Sequence, residues 1–382
     1  MPLHPPIPNR QIRVLIVDDS ALTRRVLRAA LESAPDITVV GALSDGEQCL
    51  ARMDELAPDV VTLDVEMPGL NGLEVLRRIM ARRPVPVVMV SYLTHEGTDA
   101  TVRALLDGAV DFVPKPGGPI VTDLTRLRDD LLRKVRAAAR SRPAAARATR
   151  RPVPTAPAPL PPRRPMLPPA GTPPLRPRAG SALAFDHLVV LGASTGGPQA
   201  LQTVLEGLPP NPRTAFLVVQ HMPAGMTQVL AELLDGCSTM RVREAQQHDR
   251  LEPGAILMVP GDFHLRLGPG GLVELDQGPR VHFVRPSVDV TLLSAAELYG
   301  SHTVATILTG MGMDGADGAA AIHAAGGGVI ISDEQTSVVW GMPKAVFERG
   351  VADQVLPLPE IARAISSRLA APSTVRRQHS AV

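Results

Sequence analysis

The sequence predicts an α/β protein built from two parallel-sheet units of the doubly wound kind. Three observations predict it. Short apolar, β-prone runs alternate with stretches of helical periodicity, the pattern of strands covered by helices on both faces. A proline- and arginine-rich tract divides the chain into two domain-sized parts. Polar, chemistry-bearing residues stand directly after apolar runs, at what become the carboxyl ends of strands, where such sheets bind ligands.

In the first part, Ile12–Val17 reads as a buried strand and Ala21–Ser33 as a helix. Ile37–Val40, Val60–Leu63, Val85–Val90 and Asp111–Val113 read as further strands. Gly46–Leu56, Thr98–Asp107 and Ile120–Arg140 read as helices between and after them. In the second part the expected strands are Leu188–Leu191, Phe216–Val219, Ala255–Val259, Thr303–Leu308 and Gly328–Ile331. The expected helices are Pro198–Leu205, Met226–Leu234, Val288–Tyr299 and Gly315–Ala325, with a local hairpin around Gly268–Gly271. Between the parts, residues 141–178 hold 13 of the chain's 39 prolines and no acidic residue. Such a stretch cannot form a packed core and is expected to be an extended linker. Its arginines read first as a solvated spacer, with contact to an acidic partner or nucleic acid as the alternative. The expected division is 11–140, a linker over 141–180, a second domain over 181–370, and a disordered tail over 371–382.

Composition narrows the function classes. Aromatic residues are only 2% of the chain, so its cores are aliphatic and it lacks stacking platforms for single-stranded nucleic acid. A formal net charge of +1 carries no polyanion-binding signature. Cys49 and Cys237 fall in different units and offer neither a disulfide framework nor metal-ligand spacing. They read as unpaired thiols of a reducing compartment. The proline-rich residues 1–10 lack a signal-peptide core, and no apolar run is long enough to span a bilayer. The expectation is a soluble, cytoplasmic protein with no direct membrane insertion.

In the first unit, the first strand ends in Asp18-Asp19 and the third in Asp64. A parallel sheet brings these carboxylates to one edge, where their repulsion suggests a bound cation or a special use. Hard oxygen ligands suit Mg²⁺. Ser91 ends the fourth strand and Lys115-Pro116 follows the fifth, adding a hydroxyl and an ammonium to the same edge. With Met67-Pro68-Gly69 after Asp64, residues 11 to about 135 resemble a response-regulator receiver domain of the flavodoxin-like type. The resemblance implies that Asp64 accepts phosphate from a histidine kinase. It implies that Asp18, Asp19, Asp64 and the backbone carbonyl of Glu66 hold Mg²⁺, that Lys115 pairs with the phosphoryl oxygens, and that Ser91 reads the modification.

The second unit begins with Leu188-Val189-Val190-Leu191-Gly192-Ala193-Ser194-Thr195-Gly196-Gly197-Pro198. The spacing Gly192-x-Ser194-x-Gly196 matches a nucleophile elbow, with glycines permitting a turn that a Cβ would obstruct. The same turn suits a phosphate cradle or simple close packing. A serine hydroxyl needs a base. His221 follows Phe216–Gln220, and Asp314 follows Ile307–Met313, so a parallel sheet would bring all three to one edge. Nucleophile, base and orienting carboxylate are the parts of an acyl-transfer triad. Taken on its own, Asp314, between Gly312 and Gly315, reads first as a cap for the helix after it. The order Ser194…His221…Asp314 differs from the Ser…Asp…His of α/β-hydrolases.

Four segments carry a more specific resemblance: Gly192–Gly197, Gln220-His221-Met222-Pro223, Arg285-Pro286-Ser287-Val288-Asp289, and Leu308–Gly312 with Asp314-Gly315. In this order, over about residues 185–365, they resemble chemotaxis-type protein-glutamate methylesterases. The linker is longer than usual for that family. The resemblance implies that Ser194 attacks the methyl ester of a glutamate side chain, that His221 moves the proton, and that Asp314 holds the imidazole. Backbone N–H groups of Thr195 and Met311 would form the oxyanion hole. Arg285 would either orient an acidic substrate segment or form a structural ion pair. The implied substrates are methyl-accepting chemoreceptors, including specific glutamines for deamidation, and the implied phosphodonor is a chemotaxis histidine kinase. No cofactor is expected for the esterase. An unphosphorylated receiver is expected to cover the triad.

Two other classes are weaker. A DNA-binding regulator would need a helix-turn-helix or a concentrated basic helix after the linker, and none is evident. A nucleotide site on Gly192–Gly197 would need a P-loop lysine or a full G-x-G-x-x-G fingerprint.

Overall fold

The structure is a computed structural model that describes residues 11–92, 94–115, 124–141 and 185–370. Nearly all of the expected linker, the tail 371–382, Pro116 and the expected helix start at 120–123 lie outside the described residues.

The first unit is a five-stranded parallel sheet: β1 Ile12–Val17, β2 Ile37–Leu43, β3 Val60–Asp64, β4 Val87–Ser91 and β5 Asp111–Pro114, in the order β2-β1-β3-β4-β5. Helices α1 Ala21–Glu32, α2 Gly46–Leu56, α3 Gly72–Arg82, α4 His95–Leu106 and α5 Leu124–Arg140 cover it. Strands β3 and β4 are buried along their whole length, as aliphatic runs covered on both faces must be. Side-chain caps start the helices. Ser20, Asp45, Asn71 and Thr94 each accept a backbone N–H three residues on, from Thr23, Gln48, Glu74 and Gly97. Helix α3 goes beyond the sequence expectation. It opens on Gly72, soon after Pro68 and Gly69, and these breakers mask a buried stripe of Val75, Leu76 and Ile79.

The second unit is a seven-stranded parallel sheet in the order β14-β13-β12-β6-β7-β9-β8. Its strands are β6 His187–Ala193, β7 Thr214–Gln220, β8 Arg241–Glu244, β9 Ala255–Met258, β12 Thr303–Ile307, β13 Gly328–Ser332 and β14 Gln354–Leu356. Strands β10 His264–Gly268 and β11 Leu272–Asp276 form the expected antiparallel hairpin. The helices are α6 Gly197–Gly207, α7 Met226–Asp235, α8 Val288–Tyr299, α9 Ala316–Ala324, α10 Met342–Glu348 and α11 Leu358–Ala370. Strands β8 and β14 and helices α10 and α11 were not expected. Both strands are short, and β14 is largely exposed at the sheet edge, so neither carries a long apolar run.

The chain leaves β6 on one side to form β7 and returns on the other to form β12. A doubly wound sheet opens its crevice at such a reversal. The two units share one apolar cluster, which includes Leu105 and Ala109 from the first and Leu201 and Met226 from the second. Helix α4 packs against α6 and α7.

Candidate active site

Three adjacent strands deliver the expected triad. Ser194 follows the last residue of β6, His221 follows β7, and Asp314 lies between β12 and α9. Main-chain bonds lock these ends together. Ser194 N donates to Thr309 O at 3.0 Å, His221 N to Ala193 O at 3.1 Å, and Leu308 N to Gly192 O at 2.9 Å. The turn after Ser194 needs Gly196, whose φ is +74° and whose hypothetical Cβ would lie 2.2 Å from Val338 Cγ2. Gly310 is needed for closeness, since a Cβ there would come within 2.8 Å of Ser194 Cβ.

The structure brings His221 and Asp314 into contact. His221 Nε2 lies 2.7 Å from Asp314 Oδ2, while His221 Nδ1 is buried without a hydrogen-bond partner. Asp314 does not cap its own helix. It sits instead at the amino end of α8, accepting from Val288 N at 2.7 Å and Asp289 N at 3.1 Å. The Ser287 hydroxyl donates to Asp314 Oδ1 at 2.7 Å, the oxygen that Asp289 N also reaches. Burial pushes the Asp314 carboxyl up, but the bonds from His221, Ser287 and Val288 outweigh it and hold the group at about 2. The carboxylate is therefore ionised and fixed. Its charge holds the proton of a neutral imidazole on Nε2, which leaves Nδ1 as the lone pair.

The backbone amides of Thr195 and Met311 make no hydrogen bond among the described residues. Arg285 is tied into its surroundings: it donates to Asp262 Oδ1 at 2.8 Å and to the carbonyls of Gln277 and Gly278 at 2.6 and 2.7 Å. Those bonds match the ion-pair expectation for Arg285.

The first unit lies across this edge. The Thr195 hydroxyl donates to Asp111 Oδ2 at 2.5 Å, and Gly196 N donates to Val110 O at 3.1 Å. Gln199 Nε2 donates to Leu105 O at 2.7 Å and Ala109 O at 3.3 Å. Arg133 Nη1 lies 3.4 Å from Met311 Sδ. A cavity of about 600 Å³ runs between the units, with Ser194 and His221 in its wall beside Asp111, Phe112 and Arg133.

At the far edge of the first sheet, ligand atoms of Asp18, Asp19 and Asp64 come within 4.8 Å of one another. Lys115 Nζ lies 2.5 Å from Asp64 Oδ2 and 3.1 Å from Asp18 Oδ2. Asp18 Oδ2 is buried and receives no well-angled hydrogen bond, as a carboxylate oxygen meant for a cation would be. Burial raises Asp64 to about 6, against the pull of Lys115 and with the charge of Asp18 adding to the rise. Three hard oxygens converging beside one ammonium fit a divalent ion such as Mg²⁺. The backbone N–H of Glu66 bonds Asp64 Oδ1 at 3.1 Å, which keeps residue 66 at the rim of the cluster. The Ser91 hydroxyl donates to Tyr92 O at 3.0 Å and is buried at the end of β4.

Sequence reasoning missed three residues. Ser287 carries a cap signal, a serine before an apolar helix, but nothing local says that its hydroxyl also holds a carboxylate 27 residues away. Asp111 and Gln199 show no signal at all, because their partners lie 84 and 94 residues distant. Among the described residues, no helix is long and apolar enough to cross a membrane.

The family model described as CheB methylesterase matches residues 189–365, and that described as response regulator receiver domain matches residues 14–122. A protein-glutamate methylesterase/protein-glutamine glutaminase of Symbiobacterium thermophilum is 49% identical, over 94% of this chain and 97% of its own. A protein of the same name from Thermotoga maritima is 44% identical, over 92% of this chain and 97% of its own. The solved Thermotoga maritima CheB methylesterase catalytic domain is 47% identical and covers 47% of this chain and 97% of that one, with a TM-score of 0.46. With near-full-length relatives at this identity, the chain belongs to the protein-glutamate methylesterase/protein-glutamine glutaminase family, its catalytic domain preceded by a response-regulator receiver domain.

Proposed function

We propose that this chain is a phosphorylation-activated hydrolase of chemotaxis signalling. It removes methyl groups from glutamate methyl esters of chemoreceptors and deamidates specific receptor glutamines. The observation that carries the reading is His221, bonded to Asp314 through Nε2 and free at Nδ1 in the cavity wall it shares with Ser194.

In this mechanism the Ser194 oxygen adds to the ester carbonyl and its proton passes to His221 Nδ1. The imidazolium is stabilised by Asp314, which stays ionised. The amides of Thr195 and Met311 receive the developing oxyanion. The C–O bond to the methoxy group then breaks, and His221 returns the proton to release methanol. Water, deprotonated by His221, cleaves the acyl-serine to a glutamate carboxylate and restores the Ser194 hydroxyl. With glutamine as substrate, ammonia leaves in place of methanol.

In the receiver, Asp18, Asp19, Asp64 and the Glu66 carbonyl would hold Mg²⁺, which supplies charge neutralisation during phosphoryl transfer from a histidine kinase. Asp64 is the acceptor and Lys115 its cationic partner. Phosphorylation acts on the cover over the triad. Strand β5 has Lys115 just beyond one end, bonded to Asp64, and Asp111 at the other, bonded to Thr195. The two contacts are about 13 Å apart along one strand. A new charge at Asp64 competes for Lys115 and shifts the population toward an uncovered arrangement.

The test is methanol release from methylated chemoreceptor, with and without acetyl phosphate. Release that rises with the phosphodonor and vanishes in Ser194→Ala is expected. No release in either condition overturns the reading.

A further inference from the structure

Phe283 is the most exposed large apolar side chain among the described residues, 94% accessible in a chain whose Phe112, Phe185 and Phe216 are buried. It stands at the tip of a two-residue turn. Val281 and Val284 pair through mutual backbone bonds of 3.1 and 2.9 Å. Between them, His282 and Phe283 have φ of +50° and +66°. Glycine and asparagine are at ease in such a turn, and residues with larger side chains are strained there.

The turn is held from outside. His282 Nε2 lies 3.2 Å from Asp289 Oδ2, and Arg280 and Arg285 both bond Asp262 Oδ1. The chain then runs through Pro286 straight into Ser287 and Val288, which bond Asp314. The tip is thereby kept in register with the triad, and Phe283, Val284 and Arg285 line the same cavity as Ser194 and His221. Because Asp262 pairs with both arginines, this rim offers little free charge. Its distinctive chemistry is one bare aromatic ring.

We infer that Phe283 is the apolar anchor that seats the substrate protein, contacting an apolar side chain beside the modified glutamate. The inference rests on the esterase reading and adds to it a residue that selects protein over small esters. A large aromatic loses its contact with water only when a broad apolar partner covers it, which a small ester cannot do. The ring stays exposed while the receiver covers the triad, so its effect is separate from the phosphorylation switch.

The experiment uses the full chain with acetyl phosphate and two substrates, methylated chemoreceptor and p-nitrophenyl acetate. Phe283→Ala is expected to raise KM for the receptor about tenfold, with kcat within about twofold. Hydrolysis of p-nitrophenyl acetate stays unchanged, and Phe283→Leu recovers most of the loss. An unchanged receptor KM, an equal loss on both substrates, or failure of the leucine to recover it overturns the inference. Wild-type protein that hydrolyses p-nitrophenyl acetate through Ser194 yet releases no methanol from receptor overturns instead the substrate reading beneath it.

Discussion

Replacing Gln199 by alanine should unlock the enzyme without touching its chemistry. Gln199 lies on α6, outside the triad, and its amide donates to the Leu105 and Ala109 carbonyls of the receiver. These are two of the four hydrogen bonds described above between the receiver and the turn after Ser194. Each is worth about 0.5–1.5 kcal/mol net, so Gln199→Ala should weaken the closed arrangement by about 2 kcal/mol. At about 1.4 kcal/mol per factor of ten, the ratio of closed to open molecules falls roughly 30-fold. Ester hydrolysis without phosphodonor should rise by up to that factor, with the acetyl phosphate-stimulated rate as its ceiling. The assay is the initial rate on p-nitrophenyl acetate with and without acetyl phosphate. A variant with wild-type unstimulated rate and intact stimulation refutes the role given to these bonds. A fall in the stimulated rate would place Gln199 in the chemistry instead.

Three further outcomes are expected. Asp314→Asn removes the fixed negative charge behind His221 and should lower kcat on either substrate by about 10²–10⁴-fold; a loss under about tenfold contradicts the triad. Asp64→Asn should keep the unstimulated rate and lose the response to acetyl phosphate; a persisting response moves the acceptor elsewhere. Asp289 is faced by His282, Asp314 and Asp317, and burial with the charge of Asp314 raises it to about 6 despite the bond from Gly318 N. The folded state therefore holds this proton more tightly than the unfolded chain, and the stability it gives below about pH 4 is lost as pH rises through 6. Asp289→Asn should therefore raise the unfolding temperature relative to the parent more at pH 7.5 than at pH 4, read from thermal unfolding at both. An equal effect at both pH values contradicts the assignment.

Much of the architecture was legible because each βα unit announces itself locally. Asp18, Asp64, Ser194 and His221 all stand just past an apolar run, so parallel pairing alone gathers them at two edges. Asp314 was legible as a candidate but not in its setting. Its own flanking glycines point to a cap, whereas its carboxylate is taken by the amino end of α8, an arrangement fixed only by how α8 and α9 pack. Helix α3 was hidden by Pro68, Gly69 and Gly72, which a local reading takes as one loop. The proposed cover over the triad was readable in kind, from a switch domain joined to a hydrolase. Its contacts were not, because hydrogen bonds spanning more than 80 residues depend on the docked orientation of two units.

Three of the four bonds that hold the receiver over the Ser194 turn end on its main-chain carbonyls, those of Leu105, Ala109 and Val110. Every residue has a carbonyl, so the lock reads the receiver's shape more than its spelling. Of these four bonds, side-chain scanning of the receiver would find only the one to Asp111. The identity-sensitive part lies on the catalytic side, in Gln199, Thr195 and the small Gly196. A foreign receiver with the same path from α4 into β5 that keeps Asp111 and the apolar face of α4 should therefore silence this catalytic domain, and a chimera tests that.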